Sequence, residues 1–270
     1  MSVPWTGGTE QTVVVSSSFS PATVAHRLAA AGCVAAEEEA RDLLALAGDD
    51  ETAESWISRR EQGEPLAWIT GLEEFAGSHL RVDPGVYVPR RQSEELARRA
   101  AELLATDGGS AADFCTGSGP IAAYLLAAVP AAHVVGVEID RSAAVCARRN
   151  GVPVVVGDLA DPLASSAFGV VTAVAPYVPA DDFRTLPRDV QRYEPRRSLD
   201  GGRDGLHVVR RVVTGSARVL RPGGWLLVEL GGEQDELLAP TLAGAGFEAV
   251  RTWRDEDGDL RGLVARLRDG

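Results

Sequence analysis

The sequence predicts an α/β fold: a Rossmann-like, mostly parallel sheet preceded by a small helical domain and a β-hairpin. Three observations lead there. From residue 93 onward, short apolar runs alternate with amphipathic stretches, the rhythm of a parallel sheet covered on both faces. A glycine loop, "DFCTGSG" at 113–119, stands between one such strand and the next helix. Residues 19–71 carry helical spacing and no strand pattern.

In chain order, residues 1–18 read as a flexible tail, without the basic start and long apolar segment of a secretion signal. The helical cap spans 19–71. Pro21 opens a helix with apolar positions at Val24, Leu28, Val34 and Ala35, and "AEEEARDLLALA" (36–47) places acids first and leucines later, as a helix dipole prefers. Gly63 and Gly71 are helix stops. Residues 72–88 alternate around Pro84-Gly85 and predict a hairpin connector turning there. The remaining domain, 89–270, supplies the strands "AADFC", "HVVGVEI", "VPVVVGD", "GVVTAVAPY" and "GWLLVEL", each followed by a helix or a polar stretch, and ends in the ribbon "EAVRTWRDEDGDLRGLVARL". Ligands of such sheets bind at the carboxyl ends of the strands.

Composition narrows the function. A net charge of −12 gives no electrostatic footprint for nucleic acid or an anionic membrane. No apolar run approaches the length of a membrane span. Three cysteines without CxxC spacing fit a reducing cytoplasm, and four scattered histidines give no metal-ligand pattern. Every basic residue is arginine, which excludes Schiff-base and P-loop lysine chemistry.

The glycine loop admits three readings: a tight strand–helix turn, a dinucleotide fingerprint (Gly117-Ser118-Gly119-Pro120-Ile121-Ala122 satisfies GxGxxA), or a loop for S-adenosyl-L-methionine. Acidic side chains favour the last. Asp113 ends the strand before the glycines, where a carboxylate suits an ammonium and opposes a pyrophosphate. Glu138 ends the next strand, nineteen residues after Gly119, placed to accept from ribose hydroxyls, a role that nicotinamide cofactors share. Asp158 follows "VPVVV" and suits the exocyclic amine of adenine, with Leu159 packing on the ring; its alternative is a helix cap or turn residue.

With these residues in view, the sequence resembles the HemK/PrmC class of protein-(glutamine-N5) methyltransferases, in a divergent, actinobacterial-like form. The likeness runs from about residue 54 to the end and rests on "GEPLAWITGLEEFAGSHLRVDPGVYVPR", "APYVPADDF", Tyr193-Glu194-Pro195-Arg196, Asp200-Gly201-Gly202 and "DEDGDLRG". The resemblance implies a class I methyltransferase sheet and S-adenosyl-L-methionine as donor, leaving S-adenosyl-L-homocysteine. It implies donor contacts at Cys115, Thr116, Gly117, Ser118 and Gly119, with Glu138 at the ribose and Asp158 and Leu159 at the adenine. Its acceptor is the side-chain amide of a glutamine in a peptide-chain release factor, and its Asn-Pro-Pro-Tyr motif aligns with Val174, Ala175, Pro176 and Tyr177.

Three positions depart from that pattern. Cys115 replaces a glycine, "RRQSE" (90–94) replaces a Pro-Glu-Thr run, and Val174 replaces the asparagine. An amide nitrogen is a poor nucleophile, and both its N–H groups need acceptors that hold it within about 3–3.5 Å of the methyl carbon. The asparagine oxygen supplies one and a backbone carbonyl the other. Valine keeps the volume and loses the acceptor, although it also packs well as the last buried residue of a strand. The expected acceptor is therefore a release-factor-like protein. The alternatives are a small molecule whose nucleophile needs no amide clamp, or donor binding without catalysis. Residues 181–211, with eight arginines against six acids, suit either an acidic partner protein or a solvated face.

Overall fold

The structure, a computed structural model, describes residues 18–107 and 109–269, so the expected tail lies outside it except for Ser18. The chain divides into two compact units, Met1–Thr70 and Gly71–Gly270.

The first unit is helical among its described residues: α1 (Pro21–Ala30), α2 (Ala36–Leu46), α3 (Asp50–Glu61) and α4 (Leu66–Thr70). Ser20 caps α1 by accepting from the Thr23 N–H at 3.1 Å, and Asp49 caps α3 by accepting from Thr52 at 2.7 Å. Val24, Leu28, Leu43 and Ile57 meet in its core. Arg27 binds the carboxylates of Glu54 and Glu61, holding α1 to α3. Val34, expected on an apolar helix face, is instead fully exposed, because the chain turns at Gly32 and leaves the helix before reaching it.

The second unit opens with a hairpin of β1 (Leu72–Phe75) and β2 (Ser78–Arg81). Its turn is Ala76-Gly77, not the expected Pro84-Gly85. Both Ala76 (φ 49°) and Gly77 (φ 76°) are left-handed, the geometry that matches strand twist in a two-residue hairpin loop. The Pro84-Gly85 pair lies beyond the hairpin, in the segment that leads to α5 (Glu94–Asp107).

There follow β3 (Ser110–Phe114), α6 (Pro120–Ala128), β4 (His133–Glu138), α7 (Arg141–Arg149), β5 (Val154–Val156) and β6 (Phe168–Ala173). Next come α8 (Arg188–Tyr193), α9 (His207–Val219), β7 (Leu220–Glu229), α10 (Gln234–Gly244), β8 (Phe247–Arg254) and β9 (Leu260–Leu267). The seven strands of the sheet run in the order β5-β4-β3-β6-β7-β9-β8. Strands β3 to β7 are mutually parallel, and β9 runs antiparallel to both its neighbours.

Adjacent strand residues serve opposite faces, as strand geometry requires. Ala112, Val171 and Leu226 pack under Val209, Val213 and Leu238 of α9 and α10. Their neighbours Ala111, Val170 and Leu227 pack under Leu96, Leu104 and Ile121 of α5 and α6. Burial on both faces is why these strands are so uniformly apolar. After β5 the chain returns past β3 to lay down β6, so the connections leaving β3 and β6 diverge. That divergence opens a crevice at the carboxyl edge of the sheet.

Candidate active site

A cavity of about 310 Å³ occupies this crevice. The ends of β3, β4 and β5 form one side, through Cys115, Gly117, Glu138, Ile139, Asp158 and Leu159. Opposite them stand Val174 and Pro176 after β6, Tyr87 from the segment after the hairpin, and Arg197 and Arg211. A smaller cavity adjoins it and shares Tyr87, Cys115, Gly117 and Val174 as common wall. Asp113, Thr116, Ser118 and Arg90 border only the smaller one.

The glycine loop is bent by a run of left-handed residues: Cys115 (φ 55°), Gly117 (φ 59°) and Gly119 (φ 86°). Gly119 borders neither cavity. It caps α6, and a Cβ there would stand 2.9 Å from Val152, so close packing as well as φ demands glycine. The left-handed φ at Cys115 gives a physical reason for the glycine that the HemK/PrmC pattern carries there. Ser118 Oγ is buried with no hydrogen-bond partner, an open polar group beside the smaller cavity.

Glu138 organises the loop. Its carboxylate accepts from the Gly117 N–H at 2.9 Å and from the Asp140 N–H at 2.8 Å. A carboxylate has about four acceptor sites, so further sites remain for ligand hydroxyls. Burial raises its pKa, opposed by the backbone N–H groups of Gly117 and Ile139.

Asp113 is turned inward. Only 1% exposed, it accepts from Thr116 Oγ1 at 2.5 Å and from Thr172 Oγ1 at 2.7 Å. Burial pushes its pKa up to about 6 against those hydroxyl bonds, which lower it. Because the folded pKa is raised above the ordinary 3.8, the proton favours the folded state. That contribution is complete below the unfolded pKa and is lost as pH rises through about 6, a span worth about 3 kcal/mol. Asp113→Asn is expected to flatten this dependence. In melts from about pH 4 to 7, wild type should lose stability relative to the variant, and a constant gap between the two would refute the assignment.

Asp158 borders the larger cavity and pairs with Arg211 of α9, Oδ2 to Nη2 at 2.7 Å. Arg197 pairs with Asp140 on the same rim. Neither arginine stands out in the sequence, where each is one among many in the 181–211 stretch, and Tyr87, between Val86 and Val88, reads there as part of the hairpin connector.

The corner after β6 divides in two. Val174 and Pro176 line the larger cavity, whereas Ala175 and Tyr177 border neither. The Tyr177 hydroxyl donates to Glu229 Oε1 at 2.9 Å and accepts from Gln92 Nε2 at 2.8 Å. The same Glu229 carboxylate accepts from Gln92 Nε2 at 2.8 Å and from Ser93 Oγ at 2.5 Å. Tyr177 thus ties the corner to Glu229, and Tyr87 is the aromatic on the cavity wall. Among the described residues, no group of three or more His, Cys, Asp or Glu side chains could hold a metal ion.

The chain is 38% identical over 217 residues to the release factor glutamine methyltransferase of Geobacter sulfurreducens, covering 78% of this chain and 76% of that one. The chain belongs to the release factor glutamine methyltransferase (HemK/PrmC) family. It is an S-adenosyl-L-methionine-dependent methyltransferase of the class I fold. Another relative is the 4-amino-L-phenylalanine/4-methylamino-L-phenylalanine methyltransferase of Streptomyces pristinaespiralis, 37% identical over 191 residues, 66% of this chain and 65% of that one. Among solved structures, the hMettl16 catalytic domain superimposes with a TM-score of 0.56 at 15% identity, over 82% of both chains, a likeness of fold. No protein-family model matches the chain.

The residues present fit the family's donor. A buried, unpartnered Ser118 hydroxyl, a Glu138 carboxylate with spare acceptor sites and an apolar wall at Ile139 and Leu159 suit a molecule with an amino-acid end, a ribose and a flat base.

Proposed function

We propose that this methyltransferase acts on a nitrogen acceptor, in the first place the side-chain amide of a glutamine in a release-factor-like protein. What supports this most is the corner leaving β6, where Val174 and Pro176 face the cavity beside the glycine loop. Family membership adds weight, since the Geobacter relative is named for that acceptor. In this proposal Glu138 holds the donor's ribose hydroxyls, and Asp158 and Leu159 receive the base. Cys115, Thr116, Gly117 and Ser118 enclose the methionine end near Asp113, and Gly119 shapes the loop from α6. S-adenosyl-L-methionine, when bound, supplies an electrophilic methyl group. The chain's own task is to hold the acceptor nitrogen in line with it. Val174 and Pro176 present the corner to the cavity, and Tyr177, tied to Glu229, keeps it from shifting.

A second reading is favoured by Val174 itself, whose apolar side chain offers no acceptor for the other N–H. An amine, even one conjugated with a ring, is far more nucleophilic than an amide and needs no such clamp, and the Streptomyces relative is named for an aromatic amine of an amino acid. The test is transfer of labelled methyl from the donor to a glutamine-bearing release factor, beside 4-amino-L-phenylalanine. Label on the release-factor glutamine supports the first proposal. Label on the amine alone replaces it with the second, and label on neither removes both acceptors.

A further inference from the structure

Arg211 lies on α9, far in sequence from the strand ends, yet its guanidinium reaches the Asp158 carboxylate across the cavity rim at 2.7 Å. Both side chains are well exposed, at 47% and 37%, so the pair adds little to folding stability. Its effect is on orientation. With Oδ2 engaged by Arg211, rotation of the carboxylate is restrained, and Oδ1 is left as its open acceptor at the end of β5.

We infer that Arg211 is a positioning residue that gives this site its preference for a 6-amino over a 6-oxo purine in the donor. The inference rests on the donor site proposed above, with the base beside Asp158 and Leu159. An ionised carboxylate accepts hydrogen bonds and donates none, so it welcomes an amino group and opposes a carbonyl oxygen. Arg211 thus acts by fixing the acceptor.

The experiment compares S-adenosyl-L-homocysteine with S-inosyl-L-homocysteine by calorimetry on the full chain. Wild type is expected to prefer the adenosyl compound by about tenfold or more, the discrimination of one hydrogen bond to a charged group. Arg211→Ala should bring the two within about threefold of each other, chiefly by weakening the adenosyl compound, and Arg211→Lys should restore most of the preference. A merely structural role would lower both affinities together and leave their ratio unchanged. An undiminished ratio in Arg211→Ala would overturn the inference. Equal binding of the two compounds by wild type would remove Asp158 from the base site, and the inference with it.

Discussion

Glu138→Ala is expected to weaken binding of S-adenosyl-L-homocysteine by about 1–3 kcal/mol, the range for hydrogen bonds to a charged group, and toward its upper end. The reason lies in the double duty of this carboxylate. It accepts from the Gly117 and Asp140 N–H groups, one on the glycine loop and one just before α7. Alanine removes the proposed partner of the ribose and also frees the loop proposed to enclose the methionine end. Both N–H groups sit beside the cavity, where water can reach them once the carboxylate is gone, so the loss falls on binding more than on folding. Glu138→Gln keeps one acceptor oxygen and should fall between the two. Calorimetry decides it: affinity within about twofold of wild type would mean that another acid holds the ribose.

The largest gain is expected from Val174→Asn. Val174 follows directly on β6 and forms part of the wall shared by the two cavities. Asparagine, close to valine in size, places a side-chain carbonyl oxygen on that wall as an acceptor for an amide N–H. Preorganised polar contacts to a reacting group are worth roughly 10²–10³ in rate, so labelling of a glutamine-bearing release factor should rise by about that factor over wild type. If the natural acceptor is an amine, the same substitution gives no gain on the release factor and lowers labelling of the amine, because it sets a polar group in an apolar wall. The two outcomes differ on the release factor by that whole factor, so one pair of proteins distinguishes the acceptors.

Much of this architecture was readable in advance because burial on both faces leaves a plain mark. Ala111-Ala112, Val170-Val171 and Leu226-Leu227 are consecutive apolar pairs whose members serve opposite layers, so the strands stand out as apolar runs. Turn placement was harder. Pro84-Gly85 carries the stronger local signal, yet the hairpin closes at Ala76-Gly77, where an alanine accepts a left-handed φ that no propensity would assign it. The direction of Asp113 was equally hidden. It pairs with Thr172 in the parallel register of β3 and β6, and this cross-strand neighbour, distant in sequence, supplies the hydroxyl that turns the carboxylate inward. The pairing of Arg211 with Asp158 depends on the same kind of long-range approach, brought about by α9 packing over the sheet.

The network around Glu229 constrains how its members can change. One carboxylate, 1% exposed, is shared by Gln92, Ser93 and Tyr177, from stretches separated by more than eighty positions. A change at any one leaves buried polar atoms short of a hydrogen bond unless the others adjust, so drift at these four positions is expected to be strongly epistatic. The polar replacements in the 90–94 stretch and the tyrosine behind the acceptor corner then form one inherited block, and swapping only part of it between relatives should give a poorly folding hybrid.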